Sequence, residues 1–411
     1  MADILCKNPA DPFLIAYCLN KYVFNTMINK KLGYYTCAGA EFESKIQACL
    51  HATKTGKDVN WHFNDEVFGK HNWTVEPELS LDSLYDLRSR QIREKYDYVV
   101  LSYSGGADSH NILMSFVRQG LHIDEIVVNN MEKANRQFTE LNVNNVDPRN
   151  AAAEYHLQTL PRLKEIEPKI PRTKITVCDL SEHLFDYMTD AKDASWVLNR
   201  KEGLNAANVT RFNYLHFTDV RKQFDKQKSM VLLVGVDKPR CYIRNGEFYI
   251  RFTDRAANII PIPEHLNEYT NSTVELYYWS PDSLDILTKQ AHIVRRWLEL
   301  NPGMAHLFDS DAMAADPKIF RHYHERLLRS VVYTTWDNNW FQTDKAVKDW
   351  TSEFDQWFED GYSNTKAYGI WLEGVNFVKD KLHAFANEKN GDLDGLRIFG
   401  KNYRVGPFTG S

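Results

Sequence analysis

Apolar residues in this chain gather into short runs separated by amphipathic stretches. Asp97–Tyr103 (DYVVLSY) is apolar without alternation, and Glu125–Asn129 (EIVVN), Thr173–Cys178 (TKITVC) and Met230–Val236 (MVLLVGV) are runs of similar length. Such runs predict strands, the unalternating ones buried on both faces. Between them lie helical patterns. Leu81–Tyr96 reads as an amphipathic helix capped by Ser80 or Asp82, and Ser109–Gln119 as a helix closed by Gly120. Ala151–Ile166 and Asp219–Gln227 read as two more. Strands alternating with helices predict an α/β class with a doubly wound parallel sheet.

The texture changes on either side. Before residue 76 the chain is mixed, with a helical stripe at Phe13, Ala16, Tyr17, Asn20 and Phe24. After the fourth run, CYIRNGEFYIRF alternates around Asn245-Gly246, the strongest local hairpin signal. From about residue 275 the chain becomes helical and rich in tryptophan, with Pro281 opening one helix and Asn301-Pro302-Gly303 ending it. The expected division is a mixed region over 1–76, an α/β domain over 77–260, a helical aromatic domain over 275–390 and a tail over 391–411, read as an ordered strap or a frayed end.

Composition narrows the class. Of 411 residues, 26% are charged and 43% hydrophobic, which excludes a disordered, collagen-like or coiled-coil protein. A formal net charge of −5 argues against coating nucleic acid by bulk charge. No apolar run is long enough to span a bilayer, and MADILCKNPADPF lacks the pattern of a secretory leader, so a cytoplasmic protein is expected. Cys6, Cys18, Cys37, Cys49, Cys178 and Cys241 form no CxxC pair and match no zinc site.

The chemistry concentrates in Ser104-Gly105-Gly106-Ala107-Asp108-Ser109, between the first buried strand and its helix. Two glycines let the backbone turn tightly and approach a ligand. The helix start adds unpaired N–H groups and positive dipole character. With the Ser104 and Ser109 hydroxyls, these groups form a cradle for phosphate or pyrophosphate. Asp108 then suits a magnesium ion bridging phosphate oxygens. The segment is neither a Walker loop nor a dinucleotide fingerprint. A glycine turn with a plain helix cap is the bland alternative.

YSGGADS after a buried strand resembles the SGGxDS motif of the PP-loop ATP pyrophosphatases, a superfamily that includes the asparagine, NAD and GMP synthetases. The resemblance covers roughly residues 96–255. It implies a fold of the adenine nucleotide α-hydrolase (HUP) type, with ATP across the strand C-termini and cleavage between its α and β phosphates. By that resemblance Ser104, Gly105, Gly106, Asp108 and Ser109 hold the pyrophosphate and its Mg2+, and the adenosine lies near Asn129 and Asn130. Gly235-Val236-Asp237-Lys238-Pro239-Arg240 ends the fourth strand and faces the same crevice. The resemblance makes Asp237 a second metal ligand. Lys238 and Arg240 are placed to offset phosphate charge, Lys238 as a catalytic residue. This ending is similar to bacteriophage-encoded, asparagine-synthetase-like SGGxDS proteins, which implies a phage source.

Arg244, Arg251 and Arg255 lie on or after the hairpin, either flanking a polyanion or as a solvated face. His322 and His324 are two apart and share no helix face, so they read as structural. Trp336–Lys345 (WDNNWFQTDK) either closes over a substrate, with Lys345 as a catalytic oxyanion donor, or packs between domains. Position 2 is Ala2, so the nucleophile cysteine of the amidotransferase relatives is not expected, and the cysteine clusters of sulfur- or zinc-using branches are missing. The expectation is an AMP-forming ligase that activates a carboxylate or carbonyl for attack by an amine or ammonia. Its partners are ATP and an unidentified, preferably small, acceptor, and a homo-oligomer is compatible with it. The alternatives are a PP-loop enzyme that modifies a tRNA or DNA base, and a nucleotide-binding interaction protein without turnover.

Overall fold

The computed structural model describes residues 30–130, 154–179, 229–254, 272–315, 323–341, 361–388 and 398–410. The expected helices around Phe13–Phe24 and Asp219–Gln227 lie outside them. At the centre is a five-stranded, all-parallel sheet of β4 (Tyr98–Ser102), β5 (Glu125–Asn130), β6 (Lys174–Asp179), β7 (Met230–Val234) and β10 (Ser272–Leu276). Its spatial order is β10-β7-β4-β5-β6. The chain lays down β4, β5 and β6 in one direction, then returns to add β7 and β10 on the other side of β4. Order therefore reverses between β4 and β7, the arrangement in which an open α/β sheet leaves a crevice at the strand C-termini.

The four expected strands are present within a few residues, and β4, β5 and β7 are almost wholly buried, as unalternating runs require. β10 was not legible: Glu275 sits in its middle, buried against Arg88 and held by Lys95 and Tyr96. The helix α3 (Leu81–Lys95) starts at Ser80, whose hydroxyl accepts the Ser83 N–H at 3.2 Å. The helix α4 (Ala107–Arg118) begins two residues before the expected Ser109. α4 packs beside α3, α6 (Leu284–Leu300) packs on α3, and α8 (Glu325–Val332) packs on α6. The stretch expected as a helix to Ile166 is helical where it is described: a π-helical stretch over Glu154–Thr159 runs directly into α5 (Leu160–Ile166).

Two antiparallel sheets flank this unit. β1 (Tyr34–Cys37), β2 (Ala40–Phe42) and β3 (Asn60–His62) form one, next to α1 (Lys45–Thr55). The other is the hairpin β8 (Arg240–Arg244) and β9 (Glu247–Thr253) with β11 (Phe399–Pro407). Asn245 and Gly246 turn that hairpin at φ +52° and +72°, the conformation their side chains tolerate best. β11 turns the expected strap into a strand paired along β9. Aromatic rings join the pieces: Phe252 of β9 packs on Phe63, Phe68, Trp73, Tyr403 and Trp279. One continuous buried core runs from Leu32 to Val405.

Behind β9, Lys45 Nζ meets Asp254 at 2.8 Å, with both side chains almost completely buried and Tyr35 adding its hydroxyl. A buried ammonium without its carboxylate is costly, so Asp254→Ala, which strands Lys45, is expected to lower the unfolding free energy by about 3–5 kcal/mol. Urea unfolding measures this. A paired Lys45→Met, Asp254→Leu chain is expected to lose less, because neither charge is then left alone.

Candidate functional site

The site is built from two loops that leave neighbouring strands at the point of reversal. After β4 the chain enters Ser104, and Gly105 adopts φ +67°. A Cβ at Gly105 would lie 2.7 Å from the Thr159 Cα, so both its conformation and its neighbour demand glycine. Two consecutive carbonyls of this loop are held from the adjoining helix. Gln158 Nε2 and Thr159 Oγ1 donate to the Ser104 oxygen at 2.9 and 2.7 Å, and Arg162 donates to the Gly105 oxygen. In a trans peptide the N–H opposes the C=O. Inward carbonyls therefore turn the Gly105 N–H towards the loop mouth and the Gly106 N–H towards Ser104 Oγ.

Gly106 is the N-cap of α4. Its N–H donates to Ser104 Oγ at 3.3 Å, while the Ser109 hydroxyl donates to the Gly106 carbonyl at 3.3 Å and accepts the Ser104 N–H at 3.2 Å. Ser109, expected to offer its hydroxyl outwards, is thus buried and stitches the loop closed. The N–H groups of Gly105, Ala107, Asp108 and Ser109 find no acceptor among the described residues. Three of these are the open donors of a helix start.

The second loop follows β7. Gly235 presses against α4: a Cβ there would lie 3.0 Å from the Ser109 nitrogen and 3.1 Å from the Asp108 Cβ. This contact brings Asp237, Lys238 and Arg240 to Asp108. Lys238 Nζ donates to the two Asp108 oxygens at 2.8 and 2.6 Å and lies 3.5 Å from Asp237. Asp237 accepts the Lys238 N–H at 2.7 Å and Arg240 Nη2 at 2.5 Å. Tyr333 donates its hydroxyl to Asp108 at 2.5 Å, and Tyr278 donates to the Asp108 carbonyl at 2.9 Å. Burial holds both phenols well above their usual range, reinforced by the Asp108 charge, so they remain donors. Two carboxylates and two cations sum to zero.

The residue types fit a nucleotide with magnesium in part. Magnesium needs one or two carboxylates, with phosphates and water completing its shell. Asp108, 24% exposed at the loop mouth, meets that need once Lys238 yields an oxygen. Asp237 does not fit as well: it is buried, and each oxygen already has a donor. No group of three or more metal-ligating side chains occurs among the described residues.

The remaining candidates separate cleanly. Asn129 is exposed at the C-terminal end of β5, on the same sheet edge as the two loops. The Arg240 head is committed to Asp237, and Arg251 is stacked on Tyr242 and Phe399, which leaves Arg244 as the exposed arginine of the hairpin. Lys345, Arg255 and His322 lie outside the described residues. His324 is a core residue stacked on Phe308 at 3.8 Å. The cysteines Cys37, Cys49, Cys178 and Cys241 are buried thiols, and burial pushes Cys49 and Cys178 up to about 12, which keeps them protonated and unreactive. Sequence reasoning missed Gln158, Thr159, Arg162, Tyr278 and Tyr333. Only Arg162 left a trace, as a cation in an otherwise amphipathic helix.

Compared with protein-family models and with curated proteins, the chain matches none. Among the described residues no helix is long and apolar enough to cross a membrane.

His110, beside the loop, bonds Tyr103 at 3.0 Å and meets the Trp340 ring at 5.1 Å. Burial, helped by the Arg162 charge, pulls it from the ordinary 6.5 down to about 4. Between those values the unfolded chain binds a proton that the folded chain does not. Stability contributed here is therefore complete above pH 6.5 and falls as pH drops to about 4, by roughly 3 kcal/mol in all. His110→Gln is expected to flatten that part of the stability curve, measured by urea unfolding at neutral and mildly acidic pH. An unchanged slope refutes the assignment.

Proposed function

We propose that this chain binds ATP at the reversal point of its sheet, in an adenine nucleotide α-hydrolase (HUP) type of fold, and splits it into AMP and pyrophosphate. The acceptor's carboxylate or carbonyl oxygen attacks the α-phosphorus, the α–β bridging bond breaks, and pyrophosphate leaves with its electron pair. An amine or ammonia then attacks the activated carbon and releases AMP. The carrying observation is the loop of outward amides set directly against a buried lysine from the neighbouring strand.

In this reading the N–H groups of Gly105, Ala107, Asp108 and Ser109 bind the pyrophosphate end, where the helix dipole adds attraction. Asp108 would hold magnesium, which supplies charge neutralisation on the phosphates. Lys238, handed from Asp108 to the ligand, offsets negative charge near the breaking bond. Asp237 and Arg240 keep Lys238 in place and its charge balanced, a role that suits their burial better than direct ligand contact. Asn129 stands on the adenosine side. Among the described residues, Arg240 and Arg251 are committed to internal partners and only Arg244 of the hairpin arginines is exposed, which favours a small acceptor over tRNA or DNA.

The test uses α-labelled ATP with magnesium and a metabolite or tRNA mixture. AMP and pyrophosphate are the expected products, and ADP with phosphate would falsify the reading. Asp108→Asn, which keeps the side-chain shape, is expected to lower product formation at least about 100-fold while circular dichroism stays unchanged. Full activity in that variant removes the metal assignment.

A further inference from the structure

Arg162 is a buried cation, 5% exposed, that no carboxylate pairs among the described residues. One guanidinium nitrogen donates to the Gly105 carbonyl and another to the Phe341 carbonyl, the latter at 2.9 Å. Its carbon lies 4.6 Å from the Trp336 ring centre and 4.8 Å from that of Trp340. Those two indoles meet edge to face at 5.3 Å, so the flat cation fills the corner between them. Desolvated cation–π contacts of this kind contribute about 2 kcal/mol. The segment 333–341 touches the loop twice more, through the Tyr333 hydroxyl on Asp108 and the Trp340 ring on His110.

We propose that Arg162 is a positioning residue that makes the glycine loop 104–109 and the aromatic segment 333–341 order together. Its hydrogen bond turns the Gly105 carbonyl inwards and so aims the next amide, that of Gly106, at Ser104 Oγ, which closes the loop. Its other donor and its two stacked faces hold the aromatic segment. Neither half keeps its place without the guanidinium, because the Gly105 carbonyl has no other donor among the described residues. Lysine cannot replace it, since a point ammonium neither bridges the two carbonyls nor fills a planar slot. Only the ligand arm of the test rests on the nucleotide reading.

Hydrogen–deuterium exchange on the full chain without ligand tests the coupling. Arg162→Lys is expected to raise exchange about tenfold both at the two hydrogen-bonded loop amides, Ser104 and Gly106, and at 336–341. Trp336→Leu is expected to loosen the loop as well, although Trp336 makes no hydrogen bond or ring contact with it, and Trp336→Phe to restore it. The Arg162→Lys, Trp336→Leu double variant is expected to exchange no faster than the faster single one. Unchanged loop exchange in folded Arg162→Lys, or additive effects in the double variant, overturns the proposal. Should Arg162→Lys not fold, the Trp336 pair decides: a loop indifferent to Trp336→Leu overturns it too. With magnesium and α,β-methylene-ATP, the wild type is expected to protect both segments. Protection of the loop alone counts against the coupling, whereas protection of neither removes the nucleotide reading and leaves the ligand-free result to judge Arg162.

Discussion

Everything distinctive about this molecule depends on a backbone-to-backbone contact. Gly235, just past β7, lies against Asp108 and Ser109 at the start of α4, where a Cβ would meet their atoms at 3.0–3.1 Å, tighter than nearly all real Cβ contacts. Strand order reverses between β4 and β7, the place where the connections of an open α/β sheet part to opposite faces. The missing Cβ lets them converge first. Without that approach the lysine after β7 does not reach the aspartate after β4.

Convergence creates an electrostatic constraint. Lys238 is buried, and an unpaired ammonium at that depth is unfavourable by several kcal/mol. It is held between Asp108 and Asp237, while Arg240 balances the second acid. The four charges form a neutral chain with one accessible end, Asp108. An anion arriving at the loop meets open amides and a lysine able to change partner without crossing solvent. In the function proposed here that anion is a polyphosphate, and the cation stays compensated on either side of the exchange.

The flanking sheets and the aromatic core give this crevice rigid walls. Tyr278, two residues past β10, and Tyr333, one residue past α8, both reach Asp108, so the fifth strand and the helical region act on the first loop directly. Trp279 and Phe252 tie the same region to the antiparallel sheets. Of the hairpin arginines, Arg240 and Arg251 are structural parts of these walls, whereas Arg244 is exposed.

Several elements were readable from residue order alone. β4, β5 and β7 are buried on both faces, so their apolar runs are continuous; the hairpin announces itself by Asn245-Gly246; the glycine loop follows from local backbone freedom and a helix start. β10 and β11 were not readable, because one carries a central glutamate neutralised by distant cations and the other is polar and paired only to β9. The same division holds at the site. The chain order by itself determined the loop, its donors and the presence of acids and cations near two strand ends, since those depend on neighbours a few residues away. That Asp108 is the open acid and carries Lys238, and that Arg162 and Tyr333 belong to the site, were decided only by tertiary structure, because their partners lie 57 to 225 positions apart and meet through the reversal of the sheet and the packing of helices on it.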